Sequence, residues 1–74
     1  MLVVDLPRRV AHWREVAGLT QADLARSIGV TRSAVCRWES GASVPTIDNV
    51  AKIAAACGVE MRIFFADLPA GEVR

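Results

Sequence analysis

No apolar run in this chain approaches the roughly 18 residues that a membrane-spanning helix requires. The opening Met1-Leu2-Val3-Val4 is too short for a signal peptide, and Asp5 closes it. Both absences point to the cytoplasm. Metal ligands are scarce as well. There are two cysteines, Cys36 and Cys57, in no CxxC pair, and a single histidine, His12. A zinc site takes about four ligands, so three widely spaced candidates imply no metal centre. The two cysteines read as reduced thiols. The glycines stand singly, which excludes a Gly-rich phosphate loop. No cofactor is expected. Net charge is only +1, so charge alone does not announce nucleic acid. Its distribution is uneven: residues 1–45 carry six arginines against four acids (+2), and residues 46–74 three bases against four acids (−1). That asymmetry is a weak pointer to a polyanionic partner.

What is present is a short, apolar chain: 74 residues, 53% hydrophobic. That length suits one domain, spanning 1–74 with a core of about 7–68, and that composition excludes disorder from low hydrophobicity. A chain this small buries only about 60% of its unfolded surface, so dimerisation would add stability.

Glycines divide the sequence into helices. Val10, Trp13, Val16 and Ala17 recur at helical spacing, Pro7 suits a helix start and Gly18 a helix stop, which predicts a first helix from about Pro7 to Ala17. Thr20-Gln21-Ala22-Asp23 resembles a capping box opening a second helix, with Leu24, Ala25 and Ile28 facing inward and Gly29 ending it. Thr31 caps a third, from about Arg32 to Glu39. On it Val35 and Trp38 point one way, while Arg32, Ser33, Cys36 and Arg37 point the other. Thr46 caps a fourth, whose stripe is Ile47, Val50, Ile53, Ala54 and Cys57, closed by Gly58. A fifth is expected over about Glu60 to Asp67, with Pro69-Ala70-Gly71 ending ordered structure. The expected fold class is therefore all-α: five helices, with the second and third forming a helix-turn-helix. A catalytic Cys–His pair would need a third orienting group and a pocket of about 300 Å³ or more, for which such a domain has little room, so no enzyme is expected.

The segments Leu19-Thr20-Gln21-Ala22-Asp23-Leu24-Ala25, Gly29-Val30-Thr31-Arg32-Ser33-Ala34-Val35 and Arg37-Trp38-Glu39-Ser40-Gly41 carry a resemblance. With Pro45-Thr46 and Ala54-Ala55-Ala56-Cys57-Gly58-Val59, they are similar to the lambda-repressor-like, Cro-type helix-turn-helix DNA-binding family over roughly residues 7–68. The resemblance implies that Arg32, Ser33 and Arg37 read bases, with Cys36 on the same face. It implies that Gln21 meets a phosphate and that Thr20 and Thr31 touch the DNA backbone, a set to which Arg26 is added. Arg14 and Glu39 match a family pair that forms a semi-buried salt bridge. Trp13 stands where the family usually has Leu.

Proteins of this kind usually read two half-sites about 34 Å apart as two-fold dimers. Met61, Ile63, Phe65 and Leu68, with Phe64, are more apolar than one small core needs, so they are the expected homodimer interface, to which Met1 to Val4 could add. The implied function is sequence-specific binding of a palindromic double-stranded operator by a bacterial or phage transcriptional regulator, a repressor or autoregulator. Two alternatives use the same fold: the antitoxin of a toxin–antitoxin pair, which would bind a toxin protein as well as DNA, and a protein-interaction adaptor.

Overall fold

Among the described residues, four of the five helices begin at a side-chain oxygen. Asp5, Thr20, Thr31 and Thr46 each accept the backbone N–H three residues on, from Arg8, Asp23, Ala34 and Asn49, at 3.0–3.2 Å. Such caps satisfy donors that the first helical turn leaves without a partner. The computed structural model describes residues 5–66 and Leu68. Its elements are α1 (Leu6–Val16), α2 (Gln21–Ile28), α3 (Arg32–Ser40), α4 (Ile47–Ala56) and α5 (Met61–Phe64). The architecture is all-α with no strand among the described residues. Met1 to Val4, Asp67 and Pro69 to Gly71 lie outside the described residues, so the expectations placed on them go no further here.

The helices enclose one core of Val10, Leu24, Ala25, Val35, Trp38, Val50, Ile53, Ala54 and Phe64. Each helix contributes from a single face, so none is independent of the others; an eight-residue helix such as α2 persists only through such packing. The turn between α2 and α3 is set by Gly29. Its φ of +78° lies in the left-handed region that costs an L side chain energy, and it lets the Val30 N–H reach the Ala25 carbonyl at 3.0 Å. Leu24 and Val35, one on each side of the turn, are both fully buried in the core.

Several expectations are corrected. The first helix starts at Leu6, not Pro7, because the Asp5 carboxylate is available as its cap. Val16 and Ile47 are not on inner stripes: they are 65% and 67% exposed, one at the end of α1 and the other at the first position of α4, where the axis has not yet reached the core. Cys57 is a half-buried C-cap and lies beyond the last turn of α4. His12, expected as a solvated side chain on the outer face of the first helix, is half-buried and sets its ring edge-on to Trp13, with centroids 4.7 Å apart. The fifth helix is four residues long. Glu60 supplies no cap, since its carboxylate pairs with Arg62 at 3.0 Å. At the other end, the Phe64 carbonyl is taken by α1, accepting from Arg9 Nη1 at 3.1 Å and Trp13 Nε1 at 3.3 Å, and Arg9 also donates to the Ala66 carbonyl.

Phe64, fully buried, is thus the anchor of the C-terminal part. Phe64→Ala is expected to lose about 3–5 kcal/mol in urea denaturation. Val44→Ala, at a side chain 75% exposed, is expected to stay within about 0.5 kcal/mol of the parent.

Candidate nucleic-acid interface

Helix α3 has two unlike faces. Val35 and Trp38 are 0% and 6% exposed and seat it in the core. Arg32, Ser33, Cys36 and Arg37 are all exposed on the other side. Among the described residues, no side-chain hydrogen bond or ion pair occupies these four. Nine residues of helix are about 13 Å long, close to the width of a B-DNA major groove, which accepts an α-helix. Five residues separate Arg32 from Arg37, an axial rise of about 7.5 Å or roughly two base steps.

Thr20, Gln21, Thr31 and Arg26, the residues expected at the DNA backbone, have a more mixed environment. The Thr20 and Thr31 hydroxyls accept from N–H groups as caps, so their own O–H remains available to donate. Thr20 and Asp23 close a full capping box, with the Asp23 carboxylate accepting the Thr20 N–H at 3.0 Å. That bond, with further help from the Thr20 hydroxyl, holds the exposed Asp23 carboxyl below its usual range. Because the folded value is depressed, this contribution is present above the ordinary carboxylate range and is lost as pH falls through the lowered value. Arg26 reaches Asp23 at 2.7 Å, in a pair whose arginine side chain is 73% exposed. Such surface pairs are worth little, so Arg26 can leave it for another anion. Gln21 donates its side-chain amide to Glu39 Oε1 at 2.9 Å.

Glu39 is also the partner of Arg14. Nε donates to Oε2 at 2.6 Å and Nη2 to Oε1 at 3.1 Å, a two-pronged pair, while Nη1 donates to the Leu19 carbonyl at 2.7 Å. The two side chains are 13% and 9% exposed. The hydrogen bond to Glu39 raises the Arg14 pKa above its already high value, against the effect of burial. The guanidinium thus joins α1, the turn before α2 and the end of α3.

The C-terminal apolar residues are less exposed than a free helix face would be. Met61, Ile63, Phe65 and Leu68 are all half-buried, and Phe65 lies edge-on to Phe64 with centroids 5.2 Å apart. Phe65 is the C-cap of α5, and Leu68 lies beyond the helix, so the four do not form the two faces of one helix.

Two features escaped sequence reasoning. Arg9, counted among the basic residues, is only 8% exposed and holds the end of α5. Its spacing was the available signal, since it lies four residues before Trp13 on the same helix face. An open groove of about 490 Å³ runs between α2 and α4, lined by Ser27, Ile28, Lys52, Ala55 and Ala56, roomier than the chain length suggested. No cysteine or histidine lines it. The thiols themselves differ: Cys36 is exposed on α3, while burial pushes the Cys57 thiol up.

The arrangement is shared with known proteins. The helix-turn-helix family model matches residues 10–64, and the chain belongs to that family. The chain is 34% identical over 58 residues to the cryptic phage CTXphi transcriptional repressor RstR of Vibrio cholerae serotype O1, across 78% of this chain but only about half (52%) of that repressor. The restriction-modification controller protein C.AhdI of Aeromonas hydrophila superposes with a TM-score of 0.77 at 34% identity, over 84% of this chain and 90% of its own. The DNA-binding domain of the P22 C2 repressor shares the fold, with a TM-score of 0.80 at 23% identity, over 93% of this chain and 92% of its own.

The near-burial of the Arg14–Glu39 pair has a thermodynamic consequence. Removing one partner strands the other charge away from water, so Glu39→Ala is expected to destabilise the fold by about 3–5 kcal/mol in chemical denaturation. A loss below about 0.5 kcal/mol would mean that the pair behaves as a surface pair.

Proposed function

We propose that this chain binds double-stranded DNA with sequence preference, as a homodimer on a palindromic operator, and acts as a transcriptional repressor or autoregulator. The observation that carries this reading is the outer face of α3: two arginines, a serine and a cysteine, exposed together and taken by no described side chain, on a helix that buried Val35 and Trp38 hold in place. Arg32 and Arg37 have the donor fork that fits guanine O6 and N7. Ser33 and Cys36 stand between them, where a small side chain lets the helix approach base edges. Thr20, Gln21, Thr31 and Arg26 would supply donors for phosphates, which set register without reading sequence. The relatives support the regulatory part: RstR is a transcriptional repressor, C.AhdI a controller protein, and the P22 C2 domain a DNA-binding domain.

A single helix offering four side chains reads too few bases for high specificity, which is the physical reason for a dimer. Ile63, Phe65, Met61 and Leu68 are the surface proposed for it, because they remain half-exposed after the core is filled.

Selection of bound sequences from random DNA, followed by titration, tests the reading face. Arg37→Ala is expected to lose about 1–3 kcal/mol on the selected site and little on mixed-sequence DNA. Equal losses on both would make Arg37 a phosphate contact, and no binding of any duplex would end the DNA-binding reading. Sedimentation tests the dimer. The parent chain is expected to be dimeric at about micromolar concentration, and Ile63→Asp or Phe65→Asp to give a folded monomer that has lost high-affinity operator binding. A monomeric parent that occupies a palindromic site tightly and without cooperativity would overturn it.

A further inference from the structure

The Gln21 side chain is engaged by Glu39 before any DNA arrives, and the engagement has a chemical direction. A carboxylate only accepts, so the atom facing Glu39 Oε1 at 2.9 Å is the carboxamide nitrogen and not its oxygen. That nitrogen carries two hydrogens. One is on Glu39, and the other is left to donate. The same Oε1 accepts from Arg14 Nη2 at 3.1 Å. A bare carboxylate here would repel a phosphate, but Arg14 neutralises it within a pair whose side chains are 13% and 9% exposed. Arg14 also holds the Leu19 carbonyl at 2.7 Å, two residues before Gln21. One guanidinium therefore restrains Gln21 twice, through the chain at Leu19 and through the carboxamide at Glu39. This is more than helix packing requires, because Gln21 is only half-buried and its side chain adds nothing to the apolar core.

We propose that Glu39 is a positioning residue for a DNA backbone contact: backed by Arg14, it fixes the Gln21 carboxamide in the rotamer whose second N–H donates to a phosphate oxygen of the duplex. The inference rests on the DNA-binding reading above. A glutamine free to rotate loses its rotamer freedom on making such a contact, at a cost of roughly tenfold in affinity. Glu39 takes that loss at folding, so the bound complex does not.

The test must separate positioning from simple support of the fold. A buried ion pair replaced by apolar side chains of similar size often leaves stability intact, so the variant is Arg14→Met with Glu39→Met. Binding is read by fluorescence anisotropy on a mixed-sequence DNA duplex, since a phosphate contact is independent of sequence. Folding is checked by circular dichroism at the same temperature. The folded Arg14→Met/Glu39→Met variant is expected to bind about tenfold more weakly, and adding Gln21→Ala to bring little further loss. The slope of log K against log salt should not change, because no phosphate loses a cationic partner. Folded Arg14→Met/Glu39→Met binding like the parent, or losses that add with Gln21→Ala, would overturn the positioning role and leave the DNA-binding reading standing. If Gln21→Ala alone changes nothing, the phosphate contact and the inference both fall. If the parent binds no duplex, the DNA-binding reading fails with them. Side-chain scalar couplings in the parent protein give a measurement that needs no variant. One Gln21 rotamer in the free protein, kept on addition of the duplex, supports the proposal, and averaging over rotamers in the free protein contradicts it.

Discussion

Take the carboxylate of Glu39 away, and Arg14 loses the acceptor of its Nε and the nearer partner of its Nη2, keeping only Glu15 at 3.6 Å, in a place that is 13% exposed. Around that one contact the arrangement of α1, α2 and α3 is organised. Arg14 comes from the last turn of α1, Glu39 from the last turn of α3, and the Leu19 carbonyl from the turn that launches α2. Hydrophobic packing alone would hold three such short helices together, but it is tolerant of small rotations. A two-pronged ion pair is not. Buried pairs of this sort are weak evidence for stability; here the pair ties the last turn of α1 to the last turn of α3. Arg9 does the corresponding job at the other end of α1, where it and Trp13 hold the carbonyl of Phe64.

This division of labour among the arginines explains why net charge was a poor guide. Of the six arginines in residues 1–45, Arg9 and Arg14 are spent on internal contacts and Arg26 is paired with Asp23. Arg8, Arg32 and Arg37 remain, all exposed, and two of them lie on the outer face of α3. A formal charge of +1 therefore coexists with a locally cationic outer face on α3. Association with a polyanion would depend on where those few charges sit more than on the field of the whole molecule.

The fold was legible wherever its determinants were local. Thr20, Thr31 and Thr46 are caps that act within three residues, and Gly29 and Gly41 act through their own φ, so α2, α3 and α4 emerge from the sequence with boundaries close to those observed. The failures share a cause, which is dependence on a distant partner. The extent of α5 is limited by carbonyl bonds to Arg9 and Trp13, more than 50 residues earlier, and no local pattern carries that information. Ile47 matched the helical spacing of the α4 stripe, yet it precedes the point where the core begins. In the candidate site, the split of α3 into Val35 and Trp38 against Arg32, Ser33, Cys36 and Arg37 follows from helical period alone. The hydrogen bond from Gln21 to Glu39 does not, since it crosses from the start of one helix to the end of the next.

In the proposed function, the start of α2 and the outer face of α3 form one surface for the duplex. The most direct measurement is amide chemical-shift mapping as a mixed-sequence DNA duplex is added to the labelled protein. The largest changes are expected on Thr20 to Ala22 and on Thr31 to Arg37, with the groove residues Lys52, Ala55 and Ala56 nearly silent. Changes centred on that groove or on α1, with residues 31–37 unmoved, would contradict it.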